Sequence, residues 1–149
     1  MANLLYRLAD RLRLRAYKRR MTAQHALGRR GEDIAHRYLQ RTGMVVVSRN
    51  YRTSTGSAEI DLVGWDNGTL VFVEVKSRQT DEHGAPDRAV GPEKWHHINR
   101  AARDYVRRVN IPCQNVRFDI VNIVFSSPPE VTHLRDVLPR SVNKTLQAL

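Results

Sequence analysis

The clearest pattern in the chain is the alternation of apolar and polar residues from Ala58 to Arg78, AEIDLVGWDNGTLVFVEVKSR, on either side of Asn67-Gly68. Asn-Gly favours a type I′ turn because both central residues accept positive φ, so the stretch predicts two antiparallel strands joined by a two-residue turn. The turn sets the expected register: Trp65 faces Leu70, Val63 faces Phe72, Asp61 faces Glu74 and Glu59 faces Lys76. Side chains alternate along a strand, so these pairs share one side of the hairpin, apolar near the turn and charged at the open end. Ile60, Leu62 and Gly64 against Val71, Val73 and Val75 form the other, core-facing side. Asp61 and Glu74 placed opposite each other repel, which weakens a sheet that has no other task. A bulge near Asp61, a device common beside active sites, would shift this register.

Elsewhere the period is helical. In residues 2–20, Leu4, Leu5, Leu8, Leu12 and Tyr17 recur among Arg7, Arg11, Arg15, Lys18 and Arg19, predicting a basic amphipathic helix. It suits a phosphate-contacting arm, a membrane-surface helix or a partner-docking helix; the plainer reading is a frayed basic extension. Thr22 is expected to cap a second helix that ends near Thr42, with Gly43 as its stop. Leu27, Ile34, Ala35, Tyr38 and Leu39 form its inward stripe, and Arg29, Arg30, Arg37 and Arg41 its basic exterior. Gly28 and Gly31 each cost about 1 kcal/mol against alanine inside a helix, which points to close packing or to the approach of a phosphate backbone.

Met44 to Val47 reads as a short strand and Ser48 to Ser57 as a polar crossing segment. Gln79 to Gly91, with His83, Gly84 and Pro86, reads as a loop. Pro92 opens a helix whose apolar face is Trp95, Ile98, Ala101, Ala102, Tyr105 and Val109. Val116 to Phe125 is nearly all apolar, as in a buried strand, and Val131 to Val137 is expected to add an edge strand.

At 149 residues the chain is expected to hold one domain, 22–138, between a basic extension, 1–21, and a loosely held tail, 139–149. A net charge of +10 narrows the partners to polyanions, nucleic acid first and an anionic membrane surface second. Cys113 is the only cysteine, which excludes a disulfide framework and a cysteine zinc site and fits the reducing cytoplasm. No apolar run approaches the roughly 20 residues of a membrane-spanning helix.

Charge also sharpens the hairpin. Mg²⁺ takes one or two carboxylates together with waters and phosphate oxygens, so Asp61 and Glu74 suit it, and Lys76 could hold a water or a scissile phosphate. The plain alternative is a surface hairpin with two solvated acids and a Glu59–Lys76 ion pair. Glu32, inside a helix, is by default an exposed partner for a residue one turn away. The six histidines show no metal-ligand spacing, and Asp119 reads as a satisfied structural acid. Tyr51 and Trp95 suit base stacking, though core or rim packing is the commoner use.

Three segments in order carry a resemblance. Gly28-Arg29-Arg30-Gly31-Glu32-Asp33-Ile34-Ala35, Glu59-Ile60-Asp61-Leu62 and Phe72-Val73-Glu74-Val75-Lys76-Ser77-Arg78, followed by Lys94 and Tyr105, resemble the YraN family of small uncharacterised bacterial proteins. That family is similar in its core to archaeal-type Holliday junction resolvases, and the order Glu32, Asp61, Glu74-Val75-Lys76 resembles that of the PD-(D/E)XK nuclease superfamily. The resemblance spans about residues 22–137, and Ala58 stands where the family usually has glycine. It implies an α/β fold with a restriction-endonuclease-like core: a central mixed sheet flanked by helices, with an extra N-terminal basic helix. It further implies Mg²⁺ or Mn²⁺ held by Asp61, Glu74 and the Val75 carbonyl, with Glu32 reaching in directly or through water. Lys76 would orient the attacking water, and Glu59 would hold Lys76 in place. Arg29, Arg30, Arg52, Arg78, Lys94 and Arg100 are the candidate nucleic-acid contacts. The implied activity is metal-dependent endonucleolytic hydrolysis of DNA, branched or flapped forms included; a resolvase would also need a homodimer to cut two strands symmetrically. The alternative is a non-catalytic nucleic-acid-binding or adaptor protein that retains the nuclease fold.

Overall fold

The computed structural model describes residues 2–79, 90–110 and 115–138, with side chains from Arg11 onward. The loop residues His83, Gly84 and Pro86, the lone Cys113 and the tail 139–149 lie outside the described residues.

Residues expected to form two units form one 40-residue helix, α1 (Ala2–Arg41), which runs unbroken through the expected boundary at residue 21. Thr22 does not cap it: its hydroxyl donates to the Lys18 carbonyl four residues back (2.9 Å), the local bond of a mid-helix threonine. The stop is the expected one. Gly43 takes φ +93°, its N–H bonds the Gln40 carbonyl, and the Met44 N–H bonds the Leu39 carbonyl. Those two bonds are a Schellman closure, which needs the left-handed residue that glycine supplies. Among the described side chains of α1, those at its C-terminal end pack: Gly31, Ala35 and Leu39 are buried, whereas residues 11–26 are exposed.

The sheet comprises β1 (Val45–Arg52), β2 (Glu59–Asp66), β3 (Thr69–Gln79), β4 (Val116–Phe125) and β5 (Glu130–Leu134), in that spatial order. Every pair is antiparallel except β3–β4, which α2 (Pro92–Val109) connects as a crossover. β1 includes Ser48 to Arg52, which the sequence suggested was a polar crossing. As an edge strand it has solvent on one side, so polar residues cost it little, and two of them find partners on α1. Val116 to Phe125 is the buried strand its composition predicted, with β3 and β5 on its two sides. Pro92 is the first helical residue of α2, after Gly91 as N-cap.

Asn67 and Gly68 have φ of +48° and +81°, and Trp65–Leu70 and Val63–Phe72 pair as the turn dictates. Both faces of the hairpin are covered. Val63, Leu70 and Phe72 pack under Ile98, Ala101, Ala102 and Tyr105 of α2, while Leu62, Val71 and Val73 pack under Ala35 and Leu39 of α1. Tyr51 and Trp95 belong to the α2 side as edge-on packing partners of Tyr105 and Phe118.

One buried acid lies within this core. Asp119 of β4 is 1% exposed and accepts from Arg117 Nε (2.9 Å), Arg117 Nη2 (2.9 Å), His133 Nε2 (2.7 Å) and the Asp136 N–H (3.0 Å). Arg117 also reaches Asp66 Oδ2 (2.8 Å), so one guanidinium ties the end of the hairpin to β4. Asp119 is the satisfied structural acid the sequence suggested.

Candidate functional site

The hairpin register runs from the turn only as far as Leu62–Val73. Beyond it, β2 pairs with β1 alone and β3 with β4 alone, so the two strands fork. The cause is a change of face. Ile60 packs on the α2 side although Leu62, two residues on, packs on the α1 side. β1 does the same: Arg49 bonds Asp33 of α1 (2.7 Å), whereas the Tyr51 hydroxyl donates to Asp104 of α2 (2.6 Å). Regular strands put such residues on one face. Asn50, with φ +49°, and Asp61 lie between these residues, so both strands twist over at the same level.

Asp61 sits in the resulting fork. Its Oδ2 accepts the Val75 N–H at 2.7 Å, so a carboxylate takes the place that a strand carbonyl would hold. The expected opposition of Asp61 to Glu74, and of Glu59 to Lys76, is therefore absent from the strand pairing. Glu59 instead lies opposite Arg52 of β1 and pairs with it at 3.1 Å.

Two further acids approach the fork from opposite sides. Glu32 comes from α1, and its Oε2 accepts from Asn50 Nδ2 (3.0 Å) with Arg49 Nη2 at 3.8 Å. Glu74 projects toward α2, where Lys94 Nζ pairs with its Oε1 at 3.0 Å. Lys76, two residues along β3 from Glu74, shares that face by alternation and is half-buried. Burial pushes the Asp61 carboxyl up to about 7, and the adjacent Glu74 and more distant Glu32 add to the rise; the Val75 N–H and Lys94 oppose it. The fork thus concentrates negative charge that its own hydrogen bonds do not fully offset.

An open cleft lies along the α1 side of the fork, lined by Gln24, Gly28, Glu32, Asp61, Glu74 and Arg78 among others. The two helical glycines part company here. A Cβ on Gly31 would collide with the Ser77 side chain of β3, so Gly31 is what lets α1 come close enough to deliver Glu32. Gly28 has open space beside it and forms part of the cleft wall.

The candidate phosphate contacts do not form one patch. Arg29 and Arg30 are exposed on α1, with Arg30 over the Phe125 ring (5.0 Å), and Arg78 lines the cleft. Arg52 is paired with Glu59, Lys94 with Glu74, and Arg100 lies 3.4 Å from the Ser57 hydroxyl. Sequence reasoning missed Asn50 and the Lys94–Glu74 pair. For Asn50, a residue that tolerates positive φ inside a polar run was the available signal. For Lys94 it was a lysine in the first turn of a helix, where acids are preferred. Among the described residues, no three histidine, cysteine, aspartate or glutamate side chains stand together as a ready-made metal cage. No described helix is long and apolar enough to cross a membrane.

Fold and site define an α/β protein that has, among the described residues, a five-stranded mixed sheet, one helix on each face, and an acid cluster where a hairpin forks. The chain belongs to the uncharacterised protein family UPF0102, whose model matches residues 31–123, in agreement with the YraN resemblance. The UPF0102 protein of Solibacter usitatus is 52% identical over 135 residues, covering 91% of this chain and 98% of that one. That of Koribacter versatilis is 40% identical over 111 residues, 72% of this chain and 76% of the relative. That of Geobacter sulfurreducens is 43% identical over 110 residues, 72% and 84% respectively. The family model begins at Gly31, but the Solibacter match is long enough to take in part of the projecting half of α1.

Proposed function

We propose that this protein is a metal-dependent endonuclease with a restriction-endonuclease-like core of the PD-(D/E)XK type, hydrolysing phosphodiester bonds of DNA, branched or flapped forms included. The observation that carries the reading is the fork itself: Glu32, Asp61 and Glu74, from three elements, line one opening. A sheet built for stability alone gains nothing from this, since burial and the two neighbouring acids raise the cost of ionising Asp61.

The donor set fits Mg²⁺ or Mn²⁺. Asp61 and Glu74 would hold the ion with the Val75 carbonyl, and waters and a phosphate oxygen would complete a shell that needs no all-protein cage. Glu32 would join through a water or directly. A bound ion supplies Lewis acidity toward the scissile phosphate and offsets its charge. Lys76 orients the attacking water and stabilises charge on the phosphate as it develops. The Val75 N–H holds Asp61 in one orientation, so the carboxylate is aimed before any ligand arrives. Exposed Arg29 and Arg30 of α1 and Arg78 in the cleft draw the nucleic-acid backbone toward acids that would otherwise repel it.

Cleavage of a panel comprising Holliday junction, flap, single strand, duplex and RNA, with Mn²⁺ or Mg²⁺, tests the reading. Asp61→Ala and Lys76→Ala are expected to abolish cutting while binding survives. Binding without cutting in either metal, unaltered by both substitutions, would replace the enzyme with a nucleic-acid-binding adaptor.

A further inference from the structure

Lys94 is the cation paired with Glu74, yet it stands where helix electrostatics disfavour it. Gly91 is the N-cap and Pro92 the first helical residue, which places Lys94 in the first turn of α2, at the positive end of the helix. An acid would serve the helix better there, as Glu93 next to it does. The Glu74 carboxylate 3.0 Å away is what compensates the lysine. The two partners differ in exposure: the Lys94 side chain is 47% exposed and that of Glu74 16%. The ammonium can therefore swing into water, whereas the carboxylate stays in the fork. Glu32 and Asp61 receive their closest bonds from neutral donors, Asn50 Nδ2 and the Val75 N–H. Lys94 thus brings to Glu74 the positive charge that the fork lacks from its neutral donors.

We propose that Lys94 is a displaceable counter-ion of the acid cluster: it holds Glu74 until a divalent cation takes that carboxylate, and the released ammonium then binds a phosphate oxygen of nucleic acid lying beside α2. The inference rests on the nuclease reading of the fork and gives one side chain two successive partners. A single ammonium cannot neutralise Glu74 and grip phosphate at once, so metal loading and substrate grip become linked. Removing this basic residue should accordingly strengthen metal binding, the opposite of what loss of a merely structural residue would do.

The test is calorimetric titration of Mn²⁺ into the metal-free, full-length protein without nucleic acid, comparing wild type, Lys94→Met, Lys94→Arg and Asp61→Ala. Lys94→Met is expected to bind Mn²⁺ roughly three- to tenfold more tightly than wild type, the range set by the loss of one partly exposed ion pair and of ammonium–metal repulsion. Lys94→Arg, which keeps the charge, should return the affinity to near the wild-type value. A second titration measures binding of a short DNA duplex with and without Ca²⁺, and the gain that Ca²⁺ gives wild type should shrink in Lys94→Met. If wild type shows an Asp61-dependent Mn²⁺ site but Lys94→Met binds equally or more weakly, the counter-ion role is wrong and the nuclease reading stands. If no protein shows an Asp61-dependent Mn²⁺ site, both readings fall.

Discussion

The same sheet carries two acid clusters with opposite electrostatic fates. On β4, beside the hairpin, Asp119 is buried, and burial alone would raise its carboxyl. Hydrogen bonds from His133, Arg117 and the Asp136 N–H reverse that and hold it below the ordinary carboxylate range. At the forked end, Asp61 has the Val75 N–H and the influence of Lys94 in its favour, but Glu74 and Glu32 beside it, and its carboxyl is pushed up to about 7. The first acid is matched by its surroundings and the second is frustrated by them. Matched acids hold folds together, whereas frustrated ones mark places where something else is meant to bind.

The largest expected effect comes from breaking the matched cluster. Asp119→Ala leaves Arg117 and His133 without their shared acceptor, a loss of about 3–5 kcal/mol for a buried charge pair cut on one side. Denaturant unfolding should show it at pH 7. Because the Asp119 carboxyl is held low, its stabilisation is present above the unfolded carboxylate value near 4 and is lost as pH falls through its lower folded value. The wild-type advantage over Asp119→Ala should therefore narrow only in strong acid. If the two clusters are separate in purpose, any variant that remains folded keeps its Mn²⁺ affinity.

A steric change comes next. Gly31→Ala places a methyl against Ser77, so α1 must withdraw from β3. About 1–3 kcal/mol of overpacking is expected, less up to about 1 kcal/mol regained in helix propensity. The Ser77 hydroxyl is buried without a hydrogen-bond partner among the described residues. Ser77→Ala alone should be neutral or mildly stabilising, and combined with Gly31→Ala it should restore part of the loss. Cleavage should fall further than stability in the single variant, because Glu32 rides on the displaced segment. Equal losses in both would separate Glu32 from the site.

The frustrated cluster predicts a stabilising change. The Asp61 carboxyl titrates higher in the folded chain than in the unfolded one, so ionising it between pH about 4 and about 7 works against folding. The metal-free protein should lose stability across that range. Asp61→Asn keeps an acceptor for the Val75 N–H without the charge, and should raise stability at pH 8 by on the order of 1–2 kcal/mol, or a few degrees in Tm. At pH 4 the gain should vanish. A variant less stable than wild type at pH 8 would place Asp61 with the matched acids.

The matched half of the molecule was the more legible. Asn67-Gly68 announced its turn, and the pairing next to it followed from counting; Gly43 and Pro92 marked helix ends by their own backbone limits. These signals are local, set by φ preferences and by a period of two. Legibility failed where a contact crosses the chain. That Thr22 lies inside one long helix depends on the absence of any breaker, and Ser48 to Arg52 became a strand because Arg49 and Asn50 meet α1. Arg117, bound to Asp119, reaches Asp66 across 51 residues, a link no window along the sequence contains. The fork is the clearest case. Asp61, Glu74 and Lys76 could be placed on one face by register, yet the site depends on that register ending at Leu62, through the twist at Asn50 and Asp61. Glu32 entered through resemblance alone.

Glu59 gives the smallest effect and the sharpest boundary between the clusters. Counting from the turn put it opposite Lys76, as a support for the site; the fork puts it on Arg52 instead, with side chains 39% and 68% exposed. A pair so open to water contributes at most about 1 kcal/mol and is screened by salt. Glu59→Gln and Arg52→Gln should each shift stability by less than that, and a double-mutant cycle should give a coupling that fades between low and high salt. Cleavage with Mn²⁺ should stay within about twofold of wild type in Glu59→Gln, since a support for Lys76 would carry a cost well above that. A fall of about tenfold or more, with Mn²⁺ affinity intact, would show that Glu59 turns toward Lys76 once substrate is bound. The fork would then close during the reaction, and the register counted from the turn would describe the working state rather than the resting one.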